Sequence, residues 1–120
     1  MNETSNMGIN WPEFVQKASG NTALAKELFT DFIAELHHNK TDLSFYFHSK
    51  QLESIPPLIH KLKGSCCFFG VPALYQAVET LEQHLQEDLS SAHIEHALYD
   101  TIYQINRILH ASPKQNNNVR

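Results

Sequence analysis

The amino-acid sequence predicts an all-α fold: an antiparallel four-helix bundle with a short extra helix at its N-terminal end. Apolar residues recur at steps of three and four through most of the chain, which is the spacing of one face of an α-helix, and strand patterns are nearly absent. Glycine and proline fall between the periodic segments, where helices end and begin. The 120 residues, 42% of them hydrophobic, suffice for one domain with a single core.

The first predicted helix is short and follows a polar lead, residues 1–9, that we expect to be disordered. Asn10 could cap this helix, with Pro12 in its first turn, and Ser19-Gly20-Asn21 would end it because glycine suits the left-handed position after a helix. Its predicted apolar side consists of Trp11, Phe14, Val15 and Ala18.

The second predicted helix is long, from about Thr22 to about Phe47. Ala34 or Glu35 would lie at the rim of its buried face. The predicted core residues recur at mixed steps of three, four and seven, and they are Leu24, Leu28, Phe32, Leu36, Leu43 and Phe47.

The third predicted helix begins near Ser54, whose hydroxyl could cap it. Pro56 and Pro57 follow directly, and proline is tolerated in the first turn of a helix. It runs to about Phe69, and Gly70 ends it.

Two further helices complete the predicted bundle. One starts at Val71-Pro72 and runs to about Asp88, and the other is capped by Ser90 or Ser91. Residues 112–120 form a polar tail that we expect to be disordered, so the folded domain should span residues 10–111. The inward-facing residues of these two helices are predicted to be Leu74, Ala77, Val78, Leu81, Leu85, Ile94, Ala97, Leu98, Ile102, Ile105 and Leu109.

Charge and hydropathy exclude several classes of partner. The net charge is −4, and no Lys/Arg cluster exceeds a pair of near neighbours, so nucleic-acid binding and contact with an acidic membrane have no electrostatic support. No apolar run approaches the length that spans a bilayer, and no signal-peptide pattern opens the chain.

The two cysteines, Cys66 and Cys67, are adjacent and cannot form an ordinary disulfide within a helix. Unpaired thiols fit a reducing cytoplasm, and we interpret both as small packing residues rather than metal ligands.

His60 is the most informative residue of the chain. At about 100° per residue, Lys63, Gly64 and Cys67 lie within roughly 60° of His60 around the third helix, while its large apolar residues lie on the opposite side. A neutral imidazole is a good nucleophile toward a phosphoryl group, and a lysine one turn away can pair with phosphate oxygens. Gly64 lacks a side chain, so a partner could approach the backbone closely.

An acceptor on one imidazole nitrogen would fix the tautomer of His60 and leave the other nitrogen ready to attack. Glu82, at the edge of the apolar stripe of the following helix, is our candidate, and Glu79, one turn earlier, is its competitor. Either glutamate could instead be an ordinary surface carboxylate. The other seven histidines are interpreted as solvated or rim residues, and we predict no metal site.

The segment His60–Pro72, which reads His-Lys-Leu-Lys-Gly-Ser-Cys-Cys-Phe-Phe-Gly-Val-Pro, resembles the phosphoacceptor segment of histidine-containing phosphotransfer (HPt) domains. The family pattern is His-x-Leu-Lys-Gly-Ser with a glycine ten positions after the histidine, here Gly70. The Cys-Cys-x-x-Gly-Val-Pro ending is most similar to the HPt domains that end BarA/GacS-type hybrid sensor kinases. Those relatives often carry histidine where Lys63 stands.

The resemblance implies a phosphorelay carrier in which His60 accepts a phosphoryl group from a receiver-domain aspartate and passes it to the receiver of a response regulator. By the same resemblance Lys63 contacts phosphate, Gly64 allows close approach and Glu82 orients the imidazole. It also implies no ATP site, no cofactor of its own, Mg²⁺ supplied by the partner receiver, and a monomer located in the cytoplasm.

Two questions stay open at the level of the sequence. The chain could be free-standing or the cytoplasmic tail of a membrane-bound kinase. The alternative function is an HPt-like docking module that binds a receiver or kinase domain without carrying phosphate.

Overall fold

The computed structural model describes residues 11–87 and 90–111, and within these residues it is all-α, as predicted. Five helices and one 3₁₀ turn follow in order: α1 (Trp11–Lys17), α2 (Thr22–His48), the 3₁₀ turn (Leu52–Ser54), α3 (Ile55–Phe69), α4 (Pro72–Gln86) and α5 (Ser91–Ala111). None of these helices is long and apolar enough to cross a membrane. The predicted lead, the predicted tail, the proposed cap Asn10 and the predicted helix end at Asp88 lie outside the described residues.

The four long helices form a closed ring, in which α2 packs against α3 and α5, and α4 packs against the same two helices from the other side. The contacts between α2 and α5 show that these helices are antiparallel. Lys40 donates to Asn106 Oδ1 at 2.8 Å, and further along α2 His48 lies 3.1 Å from the hydroxyl of Tyr99, which comes earlier on α5. This ring is the predicted four-helix bundle.

The core runs the length of the ring and ends in a cluster of aromatic rings. Phe69 stacks on Phe32 with 4.2 Å between ring centroids, and it lies 4.8 Å from Phe14 of α1. The largest side chains with almost no exposed surface are Phe14, Phe32, Leu36, Leu43, Ile55, Ile59, Leu62, Leu74, Leu81, Leu98 and Ile105.

Helix α1 covers the C-terminal end of α3, as expected for a short extra helix. The Lys17 ammonium donates to the carbonyl oxygens of Cys67 and Phe68, at 3.1 Å each. These are carbonyls of the last turn of α3, where a cation is favoured by the helix dipole and by unpaired acceptors. The contact therefore fixes the end of the helix that carries His60.

The ends of the helices follow local chemistry that the sequence predicts in part. Gly70 has φ +66° and donates its N–H to Cys66 O at 2.9 Å, which confirms that it ends α3. Ser90 caps α5, since its hydroxyl accepts from the backbone N–H of His93 at 3.4 Å. Our interpretation of Ser54 as a side-chain cap is wrong, because Ser54 is in helical backbone conformation and makes no capping hydrogen bond.

The predicted buried face of α2 needs correction. Leu24 is 39% exposed, Leu28 and Phe47 are half-buried, and Phe29 and Ile33 are buried instead. Phe29, Phe32, Ile33 and Leu36 follow the spacing i, i+3, i+4, i+7, which places one stripe against the core. Asn21, predicted only as part of the stop of α1, also caps α2 by accepting from Leu24 N at 3.0 Å.

The two cysteines lie in different environments. Cys66 is a core residue, and burial raises the pKa of its thiol to about 12, so it stays protonated at neutral pH. Cys67 is exposed on the His60 side of α3, so its interpretation as a packing residue is wrong.

Candidate phosphoacceptor site

Helix α3 has two faces with different roles. Ile59, Leu62 and Cys66 are buried in the core, whereas His60 and Gly64 point to solvent. The His60 side chain is 80% exposed. The imidazole is therefore held on a helix that the core fixes in place, and its ring is open to a second molecule.

Lys63 and Glu82 form an ion pair across the gap between α3 and α4. The Lys63 ammonium donates to Glu82 Oε1 at 2.7 Å, and both side chains are partly shielded from solvent. The hydrogen bond that Lys63 donates to Glu82 raises the pKa of Lys63 above its usual value, so the ammonium is charged at any physiological pH.

Glu82 also lies beside His60, as the sequence predicts, with Oε2 3.9 Å from Nδ1 of the imidazole. This distance is too long for a hydrogen bond. The predicted bond that would orient the ring is thus not made in this conformation, since the carboxylate is held by Lys63.

Glu79, the competitor of Glu82, has another partner. Its carboxylate accepts a hydrogen bond from the Tyr75 hydroxyl at 3.2 Å. The charge of Glu79 raises the pKa of the Tyr75 phenol, so the hydroxyl stays a donor at neutral pH. Glu79 therefore does not orient the imidazole in this structure.

Gly64 lies one turn beyond His60, and no contact within the described part of the chain requires a glycine there. A Cβ built on its backbone would meet no atom within 4 Å. A glycine inside a helix is less favourable than alanine by roughly 0.5–1 kcal/mol, so the fold itself favours a different residue. The surface of α3 is therefore open at this point.

Two contacts that position the site were not predicted. The Ser65 hydroxyl donates to the carboxylate of Glu35 on α2, at 3.3 and 3.4 Å from its two oxygens, and this bond ties α3 to α2 on the side away from α4. Tyr75 adds the contact with Glu79. The Ser65–Glu35 pair has no sequence signal, because it depends on the rotation of α3 against α2. Tyr75 and Glu79 lie at i, i+4 on α4, a spacing from which their contact could have been predicted.

The fold and the site together define a class of protein: a helical bundle that exposes an imidazole, flanked by a cation and an open stretch of backbone. The family model of the Hpt domain matches residues 27–111, and the chain belongs to this family. This membership supports a phosphotransfer role in a phosphorelay and an interaction with receiver domains, and it confirms the resemblance seen in the sequence.

Curated relatives point in the same direction. The chain is 27% identical over 112 residues to the signal transduction histidine-protein kinase BarA of Escherichia coli strain K12, and it has the same identity to BarA of Escherichia coli O157:H7. BarA of Shigella flexneri is 24% identical over 109 residues. The alignments cover 91% of this chain and 12% of each relative, so the chain spans about an eighth of the length of these kinases.

Proposed function

We propose that His60 is the phosphoacceptor of a phosphorelay, taking a phosphoryl group from the aspartate of one receiver domain and passing it to the receiver of a response regulator. The observation that carries the proposal is the 80% exposed imidazole on a helix whose other face is buried in the core. Buried neighbours fix its position, and exposure allows a protein-sized donor to reach it.

In the transfer, the lone pair on Nε2 of neutral His60 attacks phosphorus. The N–P bond forms as the bond from phosphorus to the aspartyl oxygen breaks, and the electron pair of that bond returns to the aspartate carboxylate. The proton on Nδ1 stays on the ring, which becomes cationic. Glu82 Oε2, 3.9 Å from Nδ1, is the acceptor that would stabilise this charge and fix the tautomer.

Lys63 can exchange its partner when a phosphoryl group arrives on His60. Before transfer its ammonium is bound to Glu82, one turn from His60. A phosphoryl group on Nε2 brings about two negative charges, and Lys63 can then contact its oxygens while Glu82 turns to Nδ1–H. The ion pair thus keeps the Lys63 ammonium and the Glu82 carboxylate near the imidazole before transfer.

The chain would act as a carrier and not as an enzyme with its own ATP site. The Mg²⁺ that phosphoryl transfer requires would come from the acidic pocket of the receiver. We also propose that the domain works as a monomer in the cytoplasm, either alone or as the tail of a sensor kinase, without contact with nucleic acid or membrane.

The test is phosphate labelling of the chain by phosphorylated receiver domains, for the wild type and for His60→Gln. We expect a label that is labile in acid, stable in base and absent from the variant, because an N–P bond has this stability and the exposed side chain is not part of the core. Circular dichroism of the variant should match that of the wild type.

Failure of labelling from a broad panel of receivers, with the fold intact, would contradict the proposal. It would favour the docking module that binds a receiver without carrying phosphate. A large loss of helicity in His60→Gln would refute the assignment of the exposed face.

A further inference from the structure

On the edge of the bundle where α3 meets α4, two carboxylates lie near one cation, and only one of them is paired with it. Lys63 is bound to Glu82, and the exposed carboxylate of Glu79 is bound by a neutral donor, the Tyr75 hydroxyl. The Glu79 carboxylate makes no ion pair with the rest of the described chain. One negative charge on this edge is therefore left without a cationic partner.

Glu79 lies close to the site of phosphoryl transfer. It precedes Glu82 by three residues, which is about 4.5 Å along the helix axis. The pKa of Lys63 is raised mainly by its hydrogen bond to Glu82, and the charge of Glu79 makes the smallest contribution. Both glutamates line an open polar groove of about 480 Å³, together with Lys63, Gln76, Thr80, Gln83 and Gln86.

A receiver that reaches His60 must also cover Glu79. A specific protein–protein interface takes about 800 Å² from each partner, which corresponds to a disc roughly 16 Å in radius. A carboxylate that is covered without a partner loses the free energy of its hydration. A cation placed opposite it compensates for that loss. A like charge opposite it repels the wrong partner.

We propose that Glu79 selects among receivers: the cognate receiver presents a lysine or arginine opposite Glu79, and the flanking glutamines of α4 add neutral hydrogen bonds to the same partner. This inference rests on the proposed function, because it assumes that a receiver docks over His60. It adds the chemistry of the docking surface, which neither the fold nor the acceptor histidine determines.

The experiment measures the rate of transfer to this chain as a function of receiver concentration, with the receiver that labels the wild type fastest. Glu79→Lys should raise the half-saturating receiver concentration at least fivefold and leave the rate at saturation nearly unchanged. Glu79→Gln should give a smaller shift in the same direction, and added salt should weaken wild-type binding more than it weakens binding of either variant.

The matched control is Glu95→Lys, the same change of charge at an exposed position of α5, the helix diagonally across the ring from α3. It should leave the half-saturating concentration unchanged. Replacement of the opposing cation on the receiver by glutamate should restore binding to Glu79→Lys.

Chemical phosphorylation by phosphoramidate, a donor too small to contact Glu79, separates the two proposals. All Glu79 variants should accept phosphate from it at the wild-type rate. If the wild type is not labelled by phosphoramidate or by any receiver, the proposed function is wrong. If labelling is normal but Glu79→Lys binds the receiver as the wild type does, only the role of Glu79 is wrong.

Discussion

Lys63 has two partners at different stages of the proposed cycle, and the structure shows the first. In the unphosphorylated protein its ammonium holds Glu82 at 2.7 Å and so keeps that carboxylate within 3.9 Å of the imidazole. Removal of Lys63 would have two opposing effects: it would free Glu82 to orient His60, and it would take away the cation that meets the phosphoryl group. Because the incoming group carries more charge than the ring, we expect the second effect to be larger.

We therefore predict that Lys63→Ala slows phosphate acceptance several-fold without abolishing it, while Lys63→Arg retains most of the rate. The raised pKa of Lys63 determines how its effect depends on pH. The positive charge is fully present below the ordinary lysine pKa of 10.5, and it is lost only as the pH rises through the higher pKa of Lys63 in the folded protein. The ratio of wild-type to Lys63→Ala rates should thus be constant between pH 7 and 9. Single-turnover kinetics would measure it, and equal rates for the two proteins would make Lys63 a bystander.

Gly64 offers a test in which stability and function change in opposite directions. A methyl group at this position meets nothing within 4 Å, so Gly64→Ala should raise the free energy of unfolding by about 0.5–1 kcal/mol. The same methyl group would lie in the path of the receiver and should lower the rate of transfer, and Gly64→Gln should lower it further. Urea unfolding and labelling kinetics would measure the two effects. A faster transfer in either variant would contradict the role of Gly64 in close approach.

At the scale of the helix, the sequence predicts the ends of elements better than the rotation of a long helix. A helix end depends on the backbone conformation of one or two residues. The sequence therefore indicates the breaks at Gly20-Asn21 and at Gly70 with Pro72. The face of α2 depends on which of several apolar residues packs inward along 27 positions. Its spacing predicts Leu24 in the core, yet near the helix start the adjacent Ala25 faces inward instead.

The same distinction applies to the candidate site. His60, Lys63 and Gly64 share one face of one helix, so their spacing alone places them together. The position of Glu82 depends on the packing of α4 against α3, and its proximity was predicted whereas its bond to Lys63 was not. Hydrogen bonds between helices depend on side-chain rotamers and on small rotations, which a repeat of apolar residues does not determine.

Gly70 is the natural control for Gly64, because the same substitution should have the opposite effect there. Its φ of +66° is a left-handed conformation that costs about 1–2 kcal/mol for a residue with a Cβ, although the Cβ itself would meet no atom within 4 Å. Gly70→Ala should therefore destabilise the protein by that amount. Equilibrium unfolding of both variants would compare them, and a Gly70→Ala protein as stable as the wild type would show that the turn relaxes.

At the scale of the molecule, the bundle places the core and the candidate site on different faces of the same helices. On α3, Leu62 is fully buried while the neighbouring Lys63 is directed to Glu82. On α4, Leu81 is fully buried and the next residue is Glu82 itself. The packing of the four helices holds each of these buried residues in place, and so it also determines where the neighbouring residues of the candidate site lie.

This separation predicts the behaviour of a core variant. Leu62→Ala removes a fully buried side chain and should lower the free energy of unfolding by about 2–5 kcal/mol, depending on how far the core closes around the cavity. The exposed imidazole keeps its surroundings as long as α3 is folded, so the rate of labelling per folded molecule should stay within about threefold of the wild type at a temperature well below the unfolding transition. Labelling with phosphoramidate across a temperature series, with circular dichroism on the same samples, would give both quantities. A loss of labelling that precedes the loss of helicity would show that the site depends on precise core packing, and it would contradict the separation of the two faces.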